Sequence, residues 1–323
     1  MSSPELTQLP ALNGQPQPPD STYFAPPPPE IGNLLAAQST LKVGMKPKPL
    51  MVRLLISFSI SLLIAALWCI LLATFKQKEN VDPRFHPIPA WINYAAAATV
   101  LFIVSFPVVL PLVLYFTRFT ATCDYIGQLG VVRFTLSGNL SNRPKSQGLL
   151  FSRAAELRNN ITRQFVNGIY AGTKYHYKWT DDAGKPVCLL SGSFMSSKDN
   201  PPVGNQFHFG RAAELAWSQY LLNRSQEMIS ESGSLRFNLD PKRQVLIGPG
   251  FIEFQWNGRT DRCEAHEIKV ISLNNGTFSI HHMDARWYSS KGKFTFPYAQ
   301  LANARLFLLT LDRFLPSSTW GGK

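Results

Sequence analysis

Cysteine, acidic residues and catalytic signatures are all scarce in this chain, and each scarcity argues against a class of protein. Among 323 residues there are 4 cysteines. Cys69 lies inside an apolar run, while Cys123, Cys188 and Cys263 have no framework spacing. A disulfide scaffold is therefore disfavoured and a reducing compartment fits. Asp and Glu number 20 against 32 Lys and Arg, a formal charge of +12, of which +9 falls between residues 119 and 323. No run of like charges occurs, so the excess reads as a broad basic face, either solvated or turned toward an anionic surface. The G-x-S-x-G elbow, the P-loop, H-E-x-x-H and the dinucleotide fingerprint are all missing, which leaves nucleophilic, phosphoryl, zinc-hydrolase and hydride chemistry without their usual sequence footing. The lone "GPGF" at Gly248 reads as a turn. The sequence points to no catalytic residue, no cofactor and no small-molecule substrate.

Three compositional regions follow one another. Residues 1–50 contain "QPQPPD" and "YFAPPPPEIG", and because proline removes backbone donors and blocks helix interiors, this stretch is expected to be a disordered or polyproline II tail. Residues 51–118 hold two uncharged apolar runs, Leu54–Phe75 and Trp91–Phe116. At 1.5 Å per residue each is long enough for the roughly 30 Å hydrocarbon core of a bilayer. Trp91, Tyr94 and Tyr115 suit interfacial anchoring, and Pro107 and Pro111 are expected to kink the second helix. The connection "KQKENVDPRFHPIPA" allows an antiparallel hairpin but no domain. Lys42, Lys46, Lys48 and Arg53 precede the pair and Arg118, Arg133, Arg143 and Lys145 follow it, against Lys76, Lys78 and Arg84 in the loop. That bias predicts an integral membrane protein with both termini cytoplasmic. The sequons at Asn139, Asn160, Asn223 and Asn275 are read as chance occurrences of a short pattern.

From about residue 119 the composition is globular. "NQFHFGRAAELAWSQYLLNR" and "GKFTFPYAQLANARLFLLTLDRF" share a layout, an F-x-F strand running into an Ala-rich helix, with Phe207 and Phe209 matched to Phe294 and Phe296 at an offset of 87 residues. Alternating segments "KYHYKW", "VCLLSGSF", "SLRFNL", "GFIEFQW", "HEIKVISL" and "TFSIHH" are separated by the turn sequences "TDDAGKP", "NGRTD" and "NNG". Two strand-rich modules are expected, 119–232 and 233–318, each closed by one helix, with 319–323 as a tail. "FSRAAELRNNITRQFVNG" reads as an extra helix in the first. In the second, Leu301, Ala304, Leu308, Leu311 and Leu315 form a stripe broadened by Phe307 and Phe314, a core-facing helix rather than a bilayer-surface one.

Candidate ligands are few. His281, His282 and Asp284 lie in "GTFSIHHMDARWY", but in a strand the two histidines face opposite ways. Only His282 and Asp284 could converge, and no metal site is expected. "FQWNGRTDR" interleaves basic and aromatic residues without a stacking consensus, so no nucleic-acid partner is expected. The hairpin tip "NGRTDR" carries Arg259 and Arg262, the best candidates for an anionic headgroup or partner contact, if both guanidiniums reach one phosphate.

Repeated strand modules of under a hundred residues, each closed by a helix such as "YAQLANARLFLLTLDRFL" and tethered to a membrane hairpin, resemble bacterial pleckstrin-homology-like domains. The resemblance is one of layout. It implies an α+β protein, a two-helix transmembrane hairpin followed by tandem PH-like modules, in which each helix plugs a bent sheet barrel. It also implies binding or assembly at a bacterial inner membrane, with lipids and a protein partner or a second copy as partners. The alternative is a membrane enzyme or maturation factor with a dispersed site, such as His282 with Asp284.

Overall fold

The computed structural model describes residues 6, 8–76, 90–196, 201, 204–286, 288 and 291–315, with side chains from 72 to 95 excepted. Helix α1 (Leu50–Lys76) and helix α2 (Ala90–Phe116) contain the uncharged runs. Segments Leu50–Leu71 and Ala96–Phe116 are long and apolar enough to cross a membrane, and most of their positions are not buried. Leu63, Ile70, Val104 and Val108 are exposed, as expected of helices whose apolar surface faces a non-aqueous solvent rather than a protein core. The pair is antiparallel. Arg53 Nε donates to Thr117 Oγ1 at 2.9 Å and another Arg53 nitrogen donates to the Leu114 carbonyl, while Phe58 meets Phe102 edge-on at 5.2 Å. Helix α2 continues through both Pro107 and Pro111. The loop with Lys78 and Arg84, and the side chains of Lys76, Trp91 and Tyr94, lie outside the described residues.

The remaining chain builds one strand plan twice. In the second module, strands β8 (Leu235–Asp240), β9 (Arg243–Gly248), β10 (Phe251–Trp256) and β11 (Arg259–Glu264) form a four-stranded antiparallel meander, followed by a 3-10 turn, Ala265–Glu267. Strands β12 (Ile268–Asn274), β13 (Thr277–His282) and β14 (Lys293–Pro297) make a three-stranded sheet before helix α4 (Ala304–Phe314). The first module has the same sequence of parts. Strands β1 (Leu34–Ser39), β2 (Thr120–Gly127), β3 (Gly130–Ser137) and β4 (Lys145–Leu150) lead to a 3-10 turn, Phe151–Arg153. Strands β5 (Glu156–Val166), β6 (Ile169–Thr180) and β7 (Pro186–Phe194) then lead to helix α3 (Gln206–Ser232). In sequence, the apolar hairpin is thus an insertion between β1 and β2. Ser39 pairs with Cys123, and Thr122 N donates to Thr40 Oγ1 at 2.8 Å.

Three sequence expectations are corrected. The proline-rich stretch is an ordered arm through residue 43. Its Leu6, Ala11, Leu12, Ala25 and Ile31 are buried, and its strand β1 completes the first sheet. Prolines lack donors but keep carbonyls, and the arm docks through acceptors: Pro10 O receives Ala37 N, and Ala25 O receives the Tyr125 hydroxyl. Gly127 permits the close approach, since a Cβ there would lie 2.2 Å from Ile31 O. Second, Phe207 and Phe209 begin helix α3 instead of forming a strand, because Asn205 caps it by accepting from Phe207 N at 2.9 Å. Third, residues 156–166 form β5, paired along its whole length with β6, and no helix.

The cores explain the remaining choices. Phe307 on α4 is fully buried with Phe237, Phe278 and Phe296 around it at centroid distances of 5.1, 5.1 and 5.9 Å. Leu301, Ala304, Leu311 and Leu315 are buried as the stripe requires, while Leu308 is half-buried and Leu306 takes a core place. In the first module Trp217 on α3 packs edge-on against Phe151 at 5.5 Å.

Candidate functional site

The sequence candidates sit on two hairpins of the second module. Asn257 (φ 52) and Gly258 (φ 81) form the β10–β11 turn, the left-handed pair that a two-residue hairpin requires. Arg259 and Arg262 are three residues apart on β11, so alternation sends them to opposite faces. Arg262 is already engaged: its Nε lies 2.9 Å from Glu264 Oε1 and its guanidinium stacks 3.7 Å above the Phe251 ring. Both nonetheless line one cleft of about 970 Å³ together with His282, Lys291 and Lys293, with the Arg262 guanidinium turned to Glu264 and Phe251.

A different cation keeps company with Arg259. The Asn257 N–H donates to Lys242 O at 3.0 Å, joining the β10–β11 turn to the β8–β9 turn. Lys242 and Arg259 both line a polar cleft of about 940 Å³ that also includes Arg158, Asn238, Asp240 and Arg243. Its carboxylates are partnered. Asp240 holds Arg243 at 2.6 Å, which keeps the Asp240 carboxyl below its ordinary pKa, and Glu156 receives Arg158 at 3.2 Å and Asn238 at 2.6 Å. Lys242 and Arg259 make no ion pair with a described residue, so the cleft presents two uncompensated cations, geometry suited to an anion.

The cleft lies where the modules meet, and Asn303 fastens that junction. It sits in the left-handed region (φ 54) just before α4. Its Oδ1 accepts from Leu157 N and from Trp217 Nε1, both at 2.9 Å, and its Nδ2 donates to Ala155 O at 3.2 Å. Its own N–H donates to Leu157 O at 2.7 Å. Nearby, Arg158 donates to Leu239 O at 2.6 Å. Glu214 is buried at the same junction and accepts from Asn159 Nδ2 at 2.7 Å. Burial pushes its carboxyl pKa up to about 7, opposed by the charges of Arg305 and Arg211 and by the Asn159 hydrogen bond. Sequence reading missed this group. An Asn before an amphipathic helix reads only as a cap, and its partners lie 86 to 148 residues away.

His281 and His282 fall on β13 as alternation requires, with Phe278 and Ile280 inward and His282 on their face. His282 Nδ1 accepts from Asp284 N at 3.1 Å, and its Nε2 lies 3.6 Å from Glu267 Oε2. His281 bonds Ser279 at 3.1 Å, and burial together with Lys293 and Lys269 lowers its pKa. Among the described residues no three His, Cys, Asp or Glu side chains are grouped to hold a metal ion. No protein-family model matches the chain, and no curated protein matches it.

Proposed function

We propose that this chain is a membrane-anchored cytoplasmic interaction protein of the PH-like kind, in which an apolar hairpin fixes position and a joined pair of modules presents a basic cleft to anionic lipid headgroups or an acidic protein segment. The observation that carries the reading is the insertion of two span-length helices between paired strands β1 and β2. Because those strands share a ladder, the arm and both modules belong on one side of any bilayer the hairpin crosses. The flanking cations favour the inner side. Cys123, Cys188 and Cys263 are buried free thiols, which suits a reducing compartment. Binding rather than catalysis fits a cleft whose polar groups are mostly partnered with one another.

Cysteine labelling from outside intact cells tests the topology. A cysteine placed at Asn80 should be modified, and cysteines at Asn13 and Ser318 should not. Labelling at Ser318 overturns the cytoplasmic reading, and labelling at Asn13 alone overturns the shared-side argument. The cleft is tested with the full chain, since a fragment starting near residue 119 would lack β1. In proteoliposomes, energy transfer from a donor on Thr260→Cys to headgroup-labelled lipid should favour phosphatidylglycerol over phosphatidylcholine. High salt and the pair Lys242→Ala and Arg259→Ala should abolish the preference, because each cation near an anionic surface contributes about 1 kcal/mol. Equal transfer from both lipids would leave a protein segment as the ligand.

A further inference from the structure

The β5–β6 hairpin is longer than the module needs. Its ladder runs from Glu156 opposite Thr180 to Val166 opposite Ile169, but β7 accompanies β6 only as far as Thr173 opposite Phe194. Beyond that point the ribbon is two-stranded, turned by Asn167 (φ 51) and Gly168 (φ 79). Residues 160–169 are all exposed. Yet the end of the ribbon is apolar: Phe165, Val166 and Ile169 are 60, 61 and 75% exposed, and Met195, just past β7, is 78% exposed. Tyr170 packs edge-on against Phe165 at 6.0 Å. A soluble hairpin of this length ordinarily ends in polar residues, so clustered large apolar groups at a tip mark a contact surface.

Charge indicates what covers it. Between Leu157 and Thr180 the chain carries Arg158, Arg163, Lys174 and Lys178 and no carboxylate. Arg163 lies about 10 Å behind Val166 at the 3.3 Å rise of a strand, and Lys174, opposite Thr162, sits one position farther back. That spacing resembles the depth of a headgroup layer behind side chains buried about 5–10 Å into the interface. A two-fold contact between copies would instead bring these cations together with no carboxylate on the ribbon to neutralise them. Only Thr117–Phe119 separate α2 from β2, so chain length keeps the first module near any bilayer that α2 crosses.

We propose that the β5–β6 tip is a second membrane contact, in which Phe165, Val166 and Ile169 enter the headgroup–acyl boundary of an anionic bilayer while Arg163 and Lys174 meet its phosphates. This rests on the anchored reading above and adds the surface by which the module lies on the membrane. The test uses the full chain in phosphatidylcholine–phosphatidylglycerol proteoliposomes containing bromine-bearing acyl chains. An environment-sensitive fluorophore is placed in turn on Val166→Cys, on Leu63→Cys in α1 and on Asp182→Cys in the β6–β7 turn. The proposal expects quenching at 63 and 166 but not at 182, with that at 166 lost on charge reversal by Arg163→Glu and Lys174→Glu. Quenching at 63 with none at 166 overturns the proposal and leaves the anchored reading standing; a disulfide between two Val166→Cys chains in that case identifies a second copy as the occupant. No quenching at 63 overturns the anchored reading and this inference with it.

Discussion

The first module and its helix bury Asp124, Arg133, Asn159, His208 and Glu214, whereas among the described residues of the second module the only buried polar side chain is Thr310. The two share a strand plan and differ in how the chain closes it. Pro241 and Lys242 alone separate β8 from β9, while residues 40–119 separate β1 from β2. For a flexible connection that difference costs about 3 kcal/mol of closure entropy. The antiparallel helix pair, clamped by Arg53 on Thr117, reduces the cost by holding the ends of the insertion together. The first module also gains an arm, a long helix and specific buried polar groups. Apolar packing suffices for a contiguous module, and an interrupted one has added directional contacts that specify which strands meet.

The largest effect is expected from the buried pair that the second module lacks. Arg133 donates to both Asp124 oxygens at 2.6 Å and lies 4.8 Å over the Phe209 ring, joining β2, β3 and α3. Asp124→Asn leaves a buried cation without its counter-charge and should cost about 3–5 kcal/mol in denaturant unfolding. Replacing both, as Asp124→Leu with Arg133→Met, should recover most of that. If the single change costs under about 1 kcal/mol, the polar groups are incidental to closure.

The junction comes next. Asn303→Ala leaves Leu157 N and Trp217 Nε1 without their acceptor, a loss of about 2–3 kcal/mol. It should also separate the unfolding of the two modules, seen as two calorimetric transitions in place of one. A single transition shifted downward would mean that the remaining contacts, such as Arg158 to Leu239, suffice to couple them.

Glu214 gives the junction a pH dependence with a defined sign. Its folded pKa, raised to about 7 from an ordinary 4.5, means that the folded state binds the proton more tightly. Its stabilising contribution is therefore present below about pH 4.5 and is lost as pH rises through 7. The shift corresponds to about 3 kcal/mol across that window. Glu214→Gln retains an acceptor for Asn159 and removes the dependence, so it should be more stable than the parent at pH 8 and nearly equal at pH 4.5. A parallel pH–stability profile for the two proteins would show that Glu214 ionises without penalty.

Legibility followed distance along the chain. The apolar runs and much of the second module declare themselves locally, through uncharged stretches, Asn-Gly turns and alternating segments that fall on β8, β10, β12, β13 and β14, whereas β9 was not among those segments and Arg259–Asp261, read as turn, belongs to β11. Strand β1 was hidden because "LLAAQS" is short, follows a proline run and pairs with residues more than 80 positions later. "RAAEL" favours helix by propensity, yet its C-terminal part enters β5 because the long ladder with β6 outweighs that preference. Asn205 is a legible cap that the F-x-F repeat overrode. The cleft was half legible: the Arg259 turn was marked by Asn-Gly, but Lys242 joins it only through a hydrogen bond between two turns.

The smallest effects compare the two arginines themselves. Arg262 pairs with a half-buried Glu264 and stacks on Phe251, so Arg262→Ala should lower stability by up to about 1 kcal/mol. Arg259 makes no ion pair with a described residue, and Arg259→Ala should leave the unfolding midpoint unchanged within error. For the preference between phosphatidylglycerol and phosphatidylcholine the order should invert. Arg259→Ala should weaken it about fivefold, the equivalent of about 1 kcal/mol near a charged surface, and Arg262→Ala should leave it intact. The inverted order separates a binding cation from a structural one without requiring either effect to be large. Equal loss of preference in both variants would mean that Arg262 leaves Glu264 to join the anion, forming a two-arginine clasp in the bound state.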